Sequence, residues 1–410
     1  MKLFEELKWR GLIQDISSPD LEEKLNNEKL TFYLGTDPTA DSLHVGHLAV
    51  FMTAKRLKNA GHTCLLLVGG STGRIGDPRP NAERSIIDED VFEHNLSSLK
   101  EQVKIFGCDE VVDNYDWSKD INFIDFLRDY GKYFPVNYML DKDTVRRRLE
   151  TGITYTEFSY MIMQALDYLW LLENKNCTLQ VAGSDQWGNI TAGIDLIRRK
   201  TGNEVYGFCM PLVLDENGDK IGKSEGNAVW IDKNKTSSYE LYQYFINISD
   251  SLIINYLKYF TLLSKEEIET IEKEHRENPE LRIAQKALTK EIITFLHGED
   301  EYNKALNTSE SLFNKSITEL TLDEILNNFK DVPQFKFLFN NSIPILDFLV
   351  DKGICSSKRE AKEMVEAGAI LINDKKINDL NYNITADDTI KEKIMVIRKG
   401  KKKYYLGIAE

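Results

Sequence analysis

The sequence predicts an α/β protein built on a doubly wound parallel sheet. Residues 30–35 and 62–68 are short apolar runs typical of strands, and residues 48–60 between them have helical spacing and are followed by Gly61. A strand, a helix and a strand joined by short connections form a βαβ unit, in which the two strands are parallel. The first prediction is therefore a Rossmann-like sheet.

The remaining elements extend this plan along the chain. Residues 1–29 are expected to be helical, and residues 87–175 are expected to form a helical insertion rich in aromatic side chains. The sheet then resumes. Later elements are predicted as a strand at 178–182, a helix at 187–200, a strand at 206–214, charged helices over 236–325, a helix at 357–367 and two strands around Asn373-Asp374.

These elements divide the 410 residues into several domains, since so long a chain exceeds one ordinary core. An all-α domain and a small α+β domain are expected to follow the sheet. The predicted parts are a catalytic domain with its insertion at 1–232, a helical domain at 233–326, a linker at 327–342 and a last domain at 343–410.

Composition excludes several protein classes. No apolar run is long enough for a membrane span, and the five cysteines include no Cys-x-x-Cys pair, so neither a zinc site nor a disulfide framework is expected. A reducing, cytoplasmic location follows from this cysteine usage. The net charge of −14 disfavours DNA or general nucleic-acid binding, yet residues 343–410 hold 13 Lys and Arg against 11 Asp and Glu. Any RNA contact is thus expected to be local.

Two motifs indicate a nucleotide site. The first, residues 35–47, follows the first strand, opens the first helix and contains His44-Val45-Gly46-His47. A doubly wound sheet binds phosphate on free N–H groups at this place, and Gly46 permits close approach of a ligand. The second, Lys220-Ile221-Gly222-Lys223-Ser224, suits a clamp on a polyphosphate. No Gly-x-Gly-x-x-Gly follows the first strand, which disfavours a dinucleotide oxidoreductase.

These motifs resemble the HIGH and KMSKS signatures of class I aminoacyl-tRNA synthetases. Residues 158–167, 183–190, 73–78 and 9–13 are similar to bacterial tyrosyl-tRNA synthetases, and the resemblance covers essentially the whole chain in order. It implies an enzyme that activates L-tyrosine with ATP and transfers it to the 3′ end of tRNA(Tyr). ATP would be a substrate accompanied by Mg²⁺, without a tightly bound protein metal site. The resemblance also implies a homodimer through the apolar, aromatic insertion around residues 120–165.

The resemblance also implies residue roles. Tyr33 and Asp167 would bind the substrate phenol. A site that hydrogen-bonds a hydroxyl rejects the analogue without it, and rejection of phenylalanine by this enzyme family is itself the standard illustration of that rule. The other implied tyrosine contacts are Asp77, Tyr160, Gln164 and Gln186. The implied catalytic residues are Thr39, His44, His47, Lys220, Lys223, Ser224 and Arg84, and the implied ATP contacts are Gly35, Asp37, His44, Gly46, His47, Gly183, Asp185 and Lys223.

Two departures from the family pattern stand out. Leu34 and Val50 occupy positions where some relatives carry a side chain able to bond the ribose, and the loop at residues 79–84 is one residue shorter, with Arg79 as the substitute for a missing lysine. Two alternatives stay open at this point. One is a non-catalytic synthetase-like RNA-binding protein, and the other is a tryptophanyl-tRNA synthetase.

The C-terminal segment is predicted to bind RNA. Its helix begins after a hydroxyl residue, ends at a glycine and exposes basic side chains, and the hairpin that follows places basic groups beside tyrosines. This resembles the small RNA-binding domain of the S-four type. The predicted RNA contacts are Lys358, Arg359, Lys362, Arg398, Lys401, Lys402 and Lys403.

Overall fold

Six strands form the main sheet of the computed structural model. They are β1 (Asp15–Ile16), β2 (Thr31–Thr36), β3 (Thr63–Val68), β4 (Glu110–Asp113), β5 (Cys177–Gly183) and β6 (Tyr206–Met210). Their spatial order is β1-β6-β5-β2-β3-β4, in which β2 to β6 are parallel and β1 pairs antiparallel with β6. The chain leaves β2 toward β3 on one side and later returns to β5 on the other. The gap between β2 and β5 is therefore the topological switch point, where open α/β sheets bind ligands.

The structure describes residues 1–78, 87–149, 152–224, 227–314, 317, 320–322, 325–326, 329, 332–338, 342–400 and 403–409. The first eleven helices are α1 (Leu3–Trp9), α2 (Leu21–Asn27), α3 (Leu48–Asn59), α4 (Thr72–Ile75), α5 (Glu89–Gln102), α6 (Tyr115–Ser118), α7 (Phe123–Asp125), α8 (Val136–Leu140), α9 (Asp143–Arg148), α10 (Tyr155–Lys175) and α11 (Trp187–Thr201). Five more are α12 (Ser238–Ile246), α13 (Ile253–Phe260), α14 (Lys265–Glu277), α15 (Ile283–His297) and α16 (Glu299–Asn314).

The C-terminal part contains a five-stranded sheet. After the short pair β7 (Lys223–Ser224) and β8 (Asn227–Ala228), its elements are β9 (Gln334–Phe337), β10 (Ile343–Pro344), α17 (Ile345–Asp351), α18 (Lys358–Glu366), β11 (Ile370–Ile372), β12 (Lys375–Ile377), β13 (Asn383–Ile384), β14 (Ile394–Lys399) and β15 (Lys403–Ala409). The sheet order is β12-β11-β14-β15-β9, and β10 pairs with β13.

Two compact units emerge from these elements. Unit 1 comprises residues 1–232 and 249–284, and unit 2 comprises residues 233–248 and 285–410. The predicted helical domain at 233–326 is thus divided between them. None of the described helices is both long and apolar enough to cross a membrane.

Two buried arginines bind the C-terminal end of α13 within unit 1. Arg10 donates to the carbonyl oxygens of Lys258 and Leu263 at 3.0 and 2.6 Å, and Arg56 donates to those of Lys258 and Tyr259 at 3.1 and 3.0 Å. The carbonyls of Lys258 and Tyr259 lie at the C-terminus of α13, where helix carbonyls lack intrahelical partners and cations are favourable, and that of Leu263 lies in the segment after the helix. Burial beside Arg10 lowers the pKa of Arg56 to about 9.

The structure corrects four sequence expectations. The N-terminal helix over 1–29 is wrong, because the chain forms α1, the edge strand β1 and α2 instead. The insertion at 87–175 also contains β4, and β6 ends at Met210 rather than at residue 214. Residues 334–337 of the predicted linker form β9, which pairs in parallel with β15.

Candidate active site

A cavity of about 540 Å³ opens at the carboxyl ends of β2 and β5, at the switch point. Its lining brings together sequence-predicted residues that are up to 187 positions apart in the chain, from Tyr33 to Lys220. The predicted residues in the lining are Tyr33, Gly35, Asp37, Thr39, His44, Gly46, His47, Asp77, Tyr160, Gln164, Asp167, Gly183, Asp185, Gln186 and Lys220.

One face of α10 supplies the floor of this cavity. Thr154 caps the helix by accepting from the N–H of Glu157 at 3.3 Å, and Tyr160, Gln164 and Asp167 follow at helical spacing. The predicted i, i+4, i+7 arrangement is therefore present, since all three side chains line the cavity.

A buried ion pair secures the start of α10. Arg148 Nη2 lies 3.0 Å from Glu157 Oε2, with 5% and 1% of the two side chains exposed. Arg148 Nε also donates to the carbonyl of Gly152 at 3.1 Å. The pair fixes the helix about one turn before Tyr160.

Asp167 is held by two donors that follow β4, Asn114 immediately before α6 and Trp117 within it. Asn114 Nδ2 donates to Asp167 Oδ2 and Trp117 Nε1 donates to Asp167 Oδ1, both at 2.9 Å. Burial raises the pKa of Asp167 to about 7, and these two hydrogen bonds oppose that rise. The carboxyl is thus placed to change protonation near neutral pH.

Buried polar atoms without partners face this carboxylate region. Tyr33 is 2% exposed and its Oη has no hydrogen-bond partner among the described residues, as is true of Oε1 of Gln164 and of Gln180. Burying such atoms unpaired is costly, so their natural partner is a polar ligand. Tyr33 stands in register with Gln180 on adjacent strands, so their side chains share a face of the sheet.

A second polar group surrounds Asp77. Gln186 Nε2 donates to Asp77 Oδ2 at 3.0 Å, and Asn189 Nδ2 donates to Asp77 Oδ1 at 3.3 Å and to Gln186 Oε1 at 2.9 Å. The carboxylate is therefore oriented by two amides from the start of α11. It faces the cavity as an acceptor for a cation.

The two nucleotide motifs meet through their backbones. Val45 donates to the carbonyl of Val229, and Val229 donates to that of Gly222, at 2.9 and 2.8 Å. A Cβ at Gly46 would lie 2.7 Å from the Ile221 carbonyl oxygen. Glycine is therefore required at Gly46 because the lysine loop approaches it closely.

The second histidine of the pair is a neutral ring. His47 Nδ1 accepts from the backbone N–H of His44 at 3.2 Å. Burial and the neighbouring His44 lower the pKa of His47 to about 3. A neutral ring that accepts at Nδ1 carries its proton on Nε2, which makes His47 a hydrogen-bond donor.

Lys220 bridges the cavity mouth, since its Nζ lies 3.2 Å from Asp185 Oδ2. Both side chains are well exposed, so the pair is weak and open to replacement by a ligand. Lys223 and Ser224 lie on the backbone of β7, while Arg79 and Arg84 lie outside the described residues. Val50 lines the cavity, and Leu34 is buried.

The basic residues of α18 in unit 2 each have an acidic neighbour. Lys358 lies 2.5 Å from Asp347, and Arg359 and Lys362 lie 3.0 and 3.8 Å from the glutamates four residues later. These pairs are exposed and therefore contribute little. Arg398 lies on β14 and exposed Lys403 on β15, whereas Lys401 and Lys402 lie outside the described residues.

Sequence reasoning missed the residues that orient the predicted ones. Asn114, Trp117 and Thr72 sit in loops or short helices just after β4 and β3, where no periodic pattern singles them out. Their place after parallel strands, at the edge that carries the site, was the available signal.

Two family models match the chain. The one described as tRNA synthetases class I (W and Y) matches residues 25–314, and the one described as Tyrosine--tRNA ligase SYY-like C-terminal domain matches residues 324–407. Among the described residues there is no group of three or more His, Cys, Asp or Glu arranged to hold a metal ion.

Individual proteins agree with these matches. A tyrosine--tRNA ligase of Staphylococcus carnosus is 49% identical over 99% of this chain and 98% of its own length, and one of Geobacillus stearothermophilus is 47% identical over 99% of each. A truncated mitochondrial tyrosyl-tRNA synthetase of Aspergillus nidulans superposes with a TM-score of 0.69 at 33% identity, over 76% of this chain and 94% of that one.

Proposed function

Because the chain belongs to the class I tRNA synthetases, as a tyrosine–tRNA ligase, we propose how its residues divide the two steps of that reaction. The enzyme joins L-tyrosine to ATP, giving tyrosyl-adenylate and pyrophosphate, and then passes the tyrosyl group to the 3′ end of tRNA(Tyr). The single observation that carries the division of roles is the buried, unpartnered hydroxyl of Tyr33 in the same cavity as Asp167.

The phenol end of the substrate lies between Tyr33 and Asp167. Asn114 and Trp117 occupy one lone pair on each oxygen of Asp167, and each oxygen keeps a further lone pair for the substrate hydroxyl. Tyr33 donates to the same hydroxyl oxygen. Phenylalanine would leave these groups unpaired, which is the source of selectivity.

The ammonium end lies against Asp77, Tyr160 and Gln164, and Gln186 stands near the carboxylate. Support comes from the charge of the cavity, whose lining carries the carboxylates of Asp37, Asp77, Asp167 and Asp185. Among these, the half-buried carboxylates of Asp37 and Asp77 favour a cationic partner.

Adenylate formation requires positioning and charge stabilisation rather than a protein nucleophile. A tyrosine carboxylate oxygen forms a bond to the α-phosphorus, and the bond from that phosphorus to the bridging oxygen of pyrophosphate breaks. We assign stabilisation of the charge on the phosphates to Thr39, His44, His47, Lys220, Lys223, Ser224 and Arg84. The nucleotide contacts assigned are Gly35, Asp37, Gly46, Gly183, Asp185 and Lys223.

Lys220 would exchange Asp185 for a phosphate when ATP enters, since its present ion pair is weak. Magnesium would arrive with the nucleotide, because Mg²⁺ binds largely through phosphates and waters. In the second step a ribose hydroxyl of tRNA attacks the tyrosyl carbonyl carbon, the bond to the phosphate oxygen breaks and AMP leaves.

The C-terminal domain is proposed to hold tRNA(Tyr) through α18 and the β14–β15 hairpin. Phosphates would replace Asp347, Glu363 and Glu366 as partners of the helix cations. Replacing Arg359 and Lys362 by glutamine should weaken tRNA binding. The slope of log K for binding against log salt concentration should become shallower by about 0.9 per lost phosphate contact. Lys391→Gln, at an exposed site of the same domain, is the control, and an equal loss there would contradict the assignment.

A homodimer is proposed through residues 120–165, the aromatic part of the insertion. Large apolar side chains are exposed there, with Phe123, Ile124 and Val136 each more than 60% accessible. Val136→Asp should yield monomers in sedimentation velocity, whereas Val91→Asp, at an exposed valine of α5, should leave the assembly intact.

The unpaired state of the five cysteines supports a reducing, cytoplasmic setting.

Amino-acid-dependent ATP–pyrophosphate exchange with tyrosine, phenylalanine and tryptophan tests the residue roles. Tyrosine is expected to drive exchange with a kcat/KM far above that of phenylalanine or tryptophan. Equal exchange with phenylalanine would contradict the phenol contacts, and exchange with tryptophan alone would favour a tryptophanyl enzyme. A complete lack of exchange, with tRNA binding retained, would favour a non-catalytic RNA-binding protein.

A further inference from the structure

Thr72 occupies a junction inside the cavity wall. It is the first residue of α4, four positions after β3 ends, and it is 3% exposed. Its Oγ1 lies 2.8 Å from Asp37 Oδ1 and 2.9 Å from Asn114 Nδ2. The hydroxyl therefore stands between a carboxylate and an amide that belong to different loops.

The direction of these two hydrogen bonds is determined by chemistry. An ionised carboxylate only accepts, so the single proton of the Thr72 hydroxyl goes to Asp37. The hydroxyl oxygen must then accept from Asn114. A valine of the same shape could do neither.

The amide of Asn114 is equally determined. It is fully buried, and its Oδ1 accepts from the backbone N–H of Ser71 at 2.7 Å. Its two N–H groups then go to Thr72 and to Asp167 Oδ2. Without an acceptor at Thr72, nothing in this set would hold the second N–H of Asn114.

The other end of the junction reaches the ammonium side. Asp37 Oδ2 accepts from the hydroxyl of Tyr160 at 3.0 Å. The hydrogen bonds thus run without a break from Asp167 through Asn114, Thr72 and Asp37 to Tyr160. Four elements of the chain contribute, namely the loop after β4, α4, the loop after β2, and α10.

We propose that the Thr72 hydroxyl is a positioning residue that couples recognition of the substrate phenol at Asp167 to recognition of its ammonium at Tyr160. The inference rests on the proposed roles of those two residues. When the phenol of a bound tyrosine engages Asp167, the hydrogen bonds through Asn114 and Thr72 fix the orientation of the Asp37 carboxylate that holds Tyr160. Binding of the ammonium at Tyr160 fixes the orientation at Asp167 in the same way. Phenylalanine engages only one end and gains no such benefit.

The test is exchange kinetics with tyrosine and phenylalanine for Thr72→Val, Thr72→Ser and the control Thr53→Val. Thr53 is a fully buried threonine of α3 whose hydroxyl donates to the Ala49 carbonyl, outside this set. Thr72→Val removes the acceptor of one N–H of the buried Asn114 amide and removes a donor to Asp37, so its kcat/KM for tyrosine should fall by at least about tenfold. Its KM for ATP and its phenylalanine-driven rate should stay within about twofold, as expected when only the phenol–ammonium coupling is lost. Thr72→Ser restores the hydroxyl and should be close to the natural chain.

A second measurement keeps the proposal testable even where Thr72→Val does not fold. Trp117→Phe removes one donor to Asp167, and Tyr160→Phe removes one donor to Asp37. Their effects on tyrosine binding should be non-additive by at least about threefold in the natural chain and in Thr72→Ser, which keeps the hydroxyl. Additive effects in the natural chain would overturn the coupling.

Other outcomes are equally decisive. Unchanged tyrosine to phenylalanine discrimination in Thr72→Val, or equal losses in Thr72→Val and Thr53→Val, would assign Thr72 to general packing and overturn the proposal. If the natural chain shows no tyrosine-driven exchange, the proposed residue roles are refuted. That result is distinct from a failure of the coupling alone.

Discussion

Protonation of Asp167 should set the lower pH limit of tyrosine activation. Its pKa rises from the ordinary 3.8 to about 7 because the carboxyl is buried. Such a rise corresponds to about 4 kcal/mol against the ionised form. Since the ionised form is the one proposed to accept the substrate hydroxyl, kcat/KM for tyrosine should fall about tenfold for each pH unit below about 7.

Asp167→Asn isolates this ionisation. The amide cannot ionise, so the pH profile should become level between about pH 5.5 and 8, and kcat/KM for tyrosine should drop about 10- to 200-fold through loss of a charge-assisted hydrogen bond. His47, with a pKa of about 3, and Tyr33, with a pKa raised well above 10, do not titrate in this range. Exchange of pyrophosphate should be followed at saturating ATP, with phenylalanine as the second substrate.

Two results would refute this reasoning. One is a natural chain whose tyrosine profile shows no inflection near pH 7, and the other is an inflection that persists in Asp167→Asn. The same carboxyl predicts a stability effect. Its folded-state pKa lies above the unfolded value, so the free energy of unfolding should decline as pH rises from about 4 to 7 and level off above that, by at most about 4 kcal/mol. Asp167→Asn should lack this decline in chemical denaturation.

Two further changes test features around the cavity. Gly46→Ala places a Cβ 2.7 Å from the Ile221 carbonyl oxygen, so the KM for ATP should rise at least about tenfold while tyrosine binding, measured by calorimetry, is unchanged. Gly188→Ala, whose Cβ has ordinary space, should alter neither quantity. An unaffected KM for ATP in Gly46→Ala would contradict the close contact. Arg148→Met leaves the Glu157 carboxylate buried and alone, so chemical denaturation should show a loss of about 3–5 kcal/mol, most of which Glu157→Leu should restore in the double variant. A loss that the second substitution does not reverse would show that the arginine acts mainly by packing.

The predictable parts of the fold share one property, which is that the chain itself carries the signal. The unit β2-α3-β3 was predictable because its strands are continuously apolar and its helix is followed by Gly61. β1 has two residues and exists only through its pairing with Phe208 and Cys209, which no local pattern reports. β4 is four residues long and ends in acid, so propensity alone does not identify it.

The site divides in the same way. The residues proposed to contact the substrates belong to motifs with fixed spacing, such as the histidine pair and the face of α10. Residues that orient them, among them Asn114 and Thr72, gain their meaning from tertiary neighbours such as Asp167 and Asp37. The exposed cations of α18 were predictable as basic residues, but Asp347 as the partner of Lys358 lies on another helix and is known only from the fold.

Helix α10 also sets the distance between two of the proposed contacts to the amino acid. Tyr160 and Asp167 lie seven residues apart on it, which corresponds to about 10 Å at 1.5 Å per residue. One rigid helix therefore fixes the separation between the proposed ammonium contact at Tyr160 and the proposed phenol contact at Asp167. With these proposed roles, a substitution at Asp167 should change which ring is accepted while the ammonium contact stays in place. One residue inserted between the two positions would instead turn Asp167 by about 100° away from the face that carries Tyr160. Side chains on this helix can therefore be exchanged one at a time, but the number of residues between Tyr160 and Asp167 cannot change.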